Sequence, residues 1–150
     1  MGLERPWIAS MTQQNHDPIK QIILYRRDLK MRKGKIAAQV AHASLRVILR
    51  MGTPDPQDPL HLTLDMTPDV AAWVHGRFVK IVLSVEDEAA LVGAYEEAKR
   101  RGLPTSLITD AGKTEFHGQP TRTTVAIGPA RASEIDPITG PNGVIATKLA

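Results

Sequence analysis

Cysteine is absent from the 150 residues, which excludes disulfides, a thiolate nucleophile and cysteine-ligated zinc. Aromatic residues are nearly absent too, at 4% of the chain. Extended stacking of nucleic-acid bases on aromatic rings is therefore not expected. No apolar run approaches the ~18 residues of a membrane span, so no membrane partner is expected. The first twenty residues hold Pro6, a polar Gln and Asn run and scattered charges, with no apolar core or cleavage signal of a secretory peptide, and a cytoplasmic location is the expectation. The five histidines, His16, His42, His61, His75 and His117, lack HExxH-like spacing, and no Gly-x-Ser-x-Gly elbow occurs. Gly112-Lys113-Thr114 ends like a phosphate-binding P-loop, but Leu107 stands where the first glycine is required; Gly34-Lys35 fails likewise, with Leu29 in that place. Neither a metal nor a cofactor is expected.

What remains is a chain of one-domain length, 42% apolar, with a net charge of +3 that is unevenly spread. Residues 1 to 50 carry a balance of +7 and residues 51 to 150 a balance of −4. One basic face suited to a phosphate-rich partner follows from that asymmetry. Residues 1–17 read as a weakly ordered leader and 18–150 as a single domain.

The informative stretch runs from Gln21 to Arg50. The apolar run Ile22, Ile23 and Leu24 reads as a short buried strand, ended by the turn-prone Arg27-Asp28. From Arg26 to Lys35 six of ten residues are Lys or Arg. After Gly34 the pattern becomes helical, and Lys35, Gln39, His42, Arg46 and Arg50 line one narrow polar face. The rest of that helix is apolar or small, as expected of a helix buried on several sides. Its polar stripe either borders a ligand cleft or is an ordinary solvated face. The basic loop feeding the helix N-terminus, where free N–H groups attract anions, favours the cleft.

Further on, the prolines of Gly52 to Pro59 predict an irregular connection. Thr67-Pro68-Asp69 predicts a capped helix start and Gly76 its stop, and Phe78 to Val85 reads as a strand. Ser84 with Asp87 three residues on predicts a capping box for a helix reaching about Arg101, with Leu91, Tyr95 and Ala98 as its buried stripe. Thr105 to Thr109 and Thr123 to Ile127 complete the strands. Helix-linked strands predict an α/β sheet of mixed type, its last strand antiparallel. Ligands of such sheets bind beyond the carboxyl ends of parallel strands. Asp28 follows the first strand and Asp110 the third, and Lys35 begins the helix leaving that edge, so topology alone offers to bring the three charges together. A carboxylate beside a lysine can position water while the lysine meets negative charge on a carbonyl oxygen.

The run DLKMRKGKIAAQVAHA, followed in order by FVKIVLSV, GLPTSLITDAGKTEF, TRTTVAIGPA and IDPITG, resembles the type II peptidyl-tRNA hydrolases, the archaeal and eukaryotic kind that also occurs in some bacteria. The resemblance covers most of the chain from Gln21 to Gly140. It implies a three-layer α/β/α fold with a mixed four-stranded sheet, a homodimer, and hydrolysis of the ester joining a peptide to the 3′ ribose of tRNA. It places functional residues on Lys35, Asp110, Thr114 and Thr123: Asp110 to orient water or act as base, Lys35 for the oxyanion, the threonines to hydrogen-bond substrate or water. Lys30, Arg32, Lys33, Gln39, His42, Arg46 and Lys113 are then the substrate contacts. One departure is Arg32, which stands where the family run has glycine. Plainer uses stay open: an Asx turn at Asp110, a phosphate contact at Lys35, a turn cap at Thr114, a β-former at Thr123 and core packing at Phe116. A non-catalytic RNA-binding module or a protein-interaction module on the same fold would use the same surface without turnover.

Overall fold

The computed structural model describes residues 16–150, so the leader reading falls outside the described residues apart from its last two positions. A mixed five-stranded sheet in the order β5-β6-β1-β4-β7 separates two helical layers. β1 (Ile19–Arg26) is central, parallel to β4 (Lys80–Val85) and antiparallel to β6 (Thr121–Arg131). β5 (Thr105–Asp110) is antiparallel to β6 and so runs the same way as β1. The four expected strands and the antiparallel last one are present. A two-residue strand β7 (Lys148–Leu149), too short for a periodicity to show, joins the edge of β4.

Side chains alternate across β1, and each face packs on its own helices. Ile22 and Leu24 meet α3 (Glu88–Arg100) and α4 (Ala132–Thr139) through Leu91, Ala94, Ile135 and Ile138. Ile23 meets α1 (Lys33–Arg50) through Ala43 and Val47, while Ile19 meets α2 (Pro68–His75) through Ala72 and Trp73. The α1 contact is also polar. Gln21, fully buried, accepts from Ser44 Oγ at 2.5 Å and donates to the Ser44 carbonyl at 3.3 Å and the Gly128 carbonyl at 3.1 Å. Ser106 Oγ donates to the Ala43 carbonyl at 2.8 Å. These bonds lock α1 onto the sheet at one register, because every alternative leaves buried polar groups unsatisfied.

Several local expectations need correction. Gly52 to Pro59 is not irregular: β2 (Gly52–Asp55) and β3 (Asp58–Leu64) form a hairpin. Each strand of a two-stranded ribbon has a free outer edge, so a proline's missing N–H need not interrupt the ladder. Asp55 and Asp58 accept from the backbone N–H of Gln57 and Leu60 and shape the turn. Ser84 does not cap α3; it lies inside β4, and the cap is Asp87, which accepts from Ala90 N. β4 begins at Lys80, not Phe78, whose backbone is left-handed. β6 continues through Gly128-Pro129 to Arg131, and α4, which carries Pro137 internally, has no counterpart among the elements expected from sequence. The α2 reading holds: Thr67 accepts from Val70 N, Pro68 opens the helix and Gly76 ends it.

The expectation that α1 is buried on several sides is also corrected. Only Gln39, Ala43, Ser44 and Val47 are buried. Ala37, Ala41, Leu45 and Leu49 are exposed within a single chain.

Candidate active site

Because β1 and β5 run the same way, their carboxyl ends share one edge, and α1 starts from that edge. Lys35, on the first turn of α1, reaches across to the last residue of β5: its Nζ donates to Asp110 Oδ1 at 2.9 Å and to Thr114 Oγ1 at 2.6 Å. The Lys35 and Asp110 side chains are 12% and 15% exposed, so the pair is sheltered yet reachable. The ammonium also stands 5.6 Å from the Phe116 ring centroid, within range of a cation–π attraction.

The loop after β5 that supplies Thr114 closes on itself. Gly112 N donates to Asp110 Oδ2 at 2.8 Å and the Gly112 carbonyl accepts from Gly118 N at 2.9 Å. Gly112 has φ +83, and a Cβ there would come within 2.2 Å of the Gln119 carbonyl oxygen. Only glycine fits. The Asx turn and the lysine pairing, alternatives on the sequence alone, therefore coexist on the two oxygens of one carboxylate.

Behind the carboxylate stands Gln39, 5% exposed, donating from Nε2 to Asp110 Oδ1 at 3.2 Å. Its Oε1 accepts from Thr123 Oγ1 at 2.5 Å, and Thr124 Oγ1 donates to the Gln39 carbonyl at 3.2 Å. Both threonines are fully buried. Adjacent strand residues ordinarily point to opposite faces, but the β5–β6 register slips by one between Ile108/Thr124 and Thr109/Arg122. Thr123 is the extra residue of that bulge, which turns both hydroxyls toward α1. The structure thus places Gln39 and Thr123 behind the Lys35–Asp110 pair, with their polar groups engaged inside the protein.

Burial alone would raise the Asp110 pKa, but hydrogen bonds from Lys35, the Gly112 amide and Gln39 outweigh it, and the carboxyl titrates below the ordinary aspartate range. It is ionised at neutral pH and is a weak base. Asp28, the other carboxylate at this edge, is not in the cluster. Arg26 holds it through two bonds, Nε to Oδ1 at 3.0 Å and Nη2 to Oδ2 at 2.7 Å. The three-charge convergence expected from topology is a two-charge one, because a local arginine claims the third group.

The basic loop is less free than its composition suggests. Arg26 also pairs with Glu88, Arg27 donates to Ser84, and Arg32 pairs with Glu115 at 2.9 Å. Arg32 has φ −65, a backbone any residue adopts, so replacing glycine there imposes no strain; the left-handed residue is Lys30. The side chains of Lys30, Lys33, His42, Arg46 and Lys113 have no hydrogen-bond or ion-pair partner within the described residues. His42 and Arg46 line, with Gln39, Asp110 and Ala111, a cavity of about 510 Å³ beside the pair. A second, of about 490 Å³, opens on its other side over Arg32, Lys35, Thr114 and Glu115. Among the described residues no cluster of His, Asp or Glu is arranged to hold a metal ion.

Sequence reasoning missed the function of the bulge. Thr123 and Gln39 are both singled out by sequence, but their bond depends on a strand register that no local pattern states.

The chain is similar to known proteins over most of its length. A family model described as Peptidyl-tRNA hydrolase PTH2 matches residues 19–141. The peptidyl-tRNA hydrolase of Methanopyrus kandleri is 44% identical over 124 residues, spanning 81% of this chain and 93% of that protein. That of Halobacterium salinarum is 42% identical over 125 residues, 81% and 96% respectively. A probable peptidyl-tRNA hydrolase 2 of Drosophila melanogaster is 37% identical over 125 residues, covering 83% of this chain and 61% of its own length.

Proposed function

The chain belongs to the peptidyl-tRNA hydrolase PTH2 family, and from that membership we infer that it cleaves the ester between a peptide and the 3′ ribose of tRNA, releasing tRNA for reuse. The observation that carries the chemistry is the Lys35–Asp110–Thr114 cluster at the open sheet edge.

A lysine ammonium has three donors, and two are engaged by Asp110 and Thr114, which leaves one for a substrate oxygen. Thr114 accepts from Lys35, so its own O–H is available to donate. Asp110 Oδ2 takes only the Gly112 amide and keeps acceptor capacity for water. In this reading water held by Asp110 adds to the ester carbonyl carbon. The oxyanion that forms is met by Lys35 Nζ and Thr114 Oγ, and its collapse breaks the bond to the ribose 3′ oxygen, which receives the proton. With its depressed pKa, Asp110 contributes by orienting and polarising water more than by full proton abstraction. Gln39 and Thr123 act through Asp110, fixing where its carboxylate lies. Lys30, Lys33, Lys113 and Arg46 supply charge for the RNA backbone, and His42 adds a hydrogen-bonding side chain beside them.

Two further features belong to this proposal. The exposed flank of α1 borders an apolar groove of about 1010 Å³, walled by Ala37, Val40, Leu45, Trp73 and Phe78, which supports a homodimer formed across it. No helix among the described residues is long and apolar enough to cross a membrane, and a substrate made by translation supports a cytoplasmic location.

The test is release of tRNA from N-acetyl-aminoacyl-tRNA and from free aminoacyl-tRNA. The blocked form should be cleaved and the free form spared. Lys35→Ala and Asp110→Ala, in proteins whose circular dichroism is unchanged, should abolish cleavage. RNA binding without turnover in the native protein would instead support a non-catalytic module.

A further inference from the structure

The two arms of the substrate differ in charge, and so do the two openings that flank the Lys35–Asp110 pair. The RNA arm carries one negative charge per phosphodiester. The acyl arm of a blocked peptide is uncharged next to the ester. On one side, Arg32 is neutralised by Glu115 at 2.9 Å, and the remaining wall is Gly34, Ala38, Thr114 and Lys35, whose charge is already answered by Asp110. On the other side, His42 and Arg46 line the cavity, and their side chains make no bond to any described residue. Their positions also form a track. Arg46 lies one helical turn beyond His42, roughly 6 Å along the axis at ~1.5 Å per residue, a step comparable to that between successive phosphates of an extended strand. Ile108, Thr109 and Ala111 make the opposite wall, close enough to Asp110 to seat a nucleoside whose 3′ oxygen is at the reactive pair.

We propose that the cavity between α1 and the end of β5 seats the 3′-terminal nucleotide, with Arg46 taking its phosphodiester backbone, and that the acyl arm leaves through the opening beside Arg32–Glu115. This rests on the hydrolase reading, and it adds a direction: substrate lies across the Lys35–Asp110 pair in one sense only. It also makes Arg46 a reader of RNA backbone with no part in the chemical step.

The experiment uses the full chain and separates binding from turnover. Binding of a 5′-fluorescein-labelled CCA trinucleotide is titrated by anisotropy, and kinetics are measured on N-acetyl-aminoacyl-tRNA. Arg46→Ala should weaken trinucleotide binding about tenfold and make the fall of log affinity with log salt shallower by ~0.7, the share of one phosphate that is no longer neutralised. It should raise KM for the tRNA substrate by a similar factor and leave kcat within twofold. Arg46→Lys should recover most of the binding. Arg32→Ala should leave trinucleotide binding unchanged. Trinucleotide binding that is undetectable in the native protein, unaffected by Arg46→Ala or weakened equally by Arg32→Ala would overturn the assignment. A native protein that binds the trinucleotide through Arg46 yet cleaves no blocked aminoacyl-tRNA would instead sink the hydrolase reading and leave the nucleotide seat standing.

Discussion

The two flanks of α1 share one backbone and are chemically opposite. One carries Lys35, Gln39, His42 and Arg46 and faces the end of β5; the other carries Ile36, Ala37, Ala41 and Leu45 and faces the apolar groove under Trp73 and Phe78. Each polar group on the first flank is either satisfied by a specific partner or open to a cleft. Nothing within the described chain covers the apolar groups on the second. Exposure alone thus says little about what a surface is for; what decides is whether the exposed groups have water-compatible chemistry.

This division of one helix can be broken or sharpened by substitution on each side. The largest effect belongs to the polar flank: Asp110→Asn keeps the shape but removes the charge opposite Lys35, and kcat in the blocked aminoacyl-tRNA assay should fall by about two to three orders of magnitude with KM little changed. Gly112→Ala comes next. Its Cβ would collide with the Gln119 backbone at a left-handed position, so the loop must open and carry Thr114 away from Lys35. A loss of roughly 10- to 100-fold in kcat is expected, with ~1–3 kcal/mol of destabilisation in urea unfolding. Thr123→Val keeps the volume but strips Gln39 Oε1 of its donor. It should cost roughly 1–3 kcal/mol and lower kcat without moving KM, since Gln39 then no longer fixes the carboxylate.

The apolar flank should behave differently. Leu45→Glu is expected to shift the sedimentation coefficient from dimer to monomer while activity per chain stays within about twofold. Equal damage to activity from Leu45→Glu and Asp110→Asn would mean that the helix is not divided as described. The smallest effect is acid dependence. Asp110 holds its proton less readily folded than unfolded, so its contribution to stability is complete above the ordinary value near 3.8 and fades as pH falls through the lower folded value. The stability difference between native protein and Asp110→Asn should therefore be flat at neutral pH and shrink only in strong acid.

Much of the site is legible in the sequence because it is assembled from strand ends and a helix start. Lys35 follows a basic loop, Asp110 ends a strand before a glycine turn, and sheet topology does the rest. What could not be read was the local competition for each charge. Arg26 lies two residues before Asp28 and captures it, and Glu115 captures Arg32, although the sequence shows both cations as free. The hairpin is hidden by its prolines, yet Leu60, Leu62 and Leu64 alternate with His61 and Thr63 as a strand does. The exposed half of α1 is misjudged because an apolar pattern states that a surface avoids water and leaves open which molecule shields it.

The Gln21–Ser44 brace has a consequence for the chemistry. It sits nine residues from Lys35, roughly 14 Å down the helix at ~1.5 Å per residue, and leaves the reaction untouched. A greasy contact in its place would tolerate sliding; a reciprocal amide–hydroxyl clasp has a single seat, so it works as an index pin. The spacing between ammonium and carboxylate is thus decided in the molecule's interior, and the sheet edge inherits it already aligned.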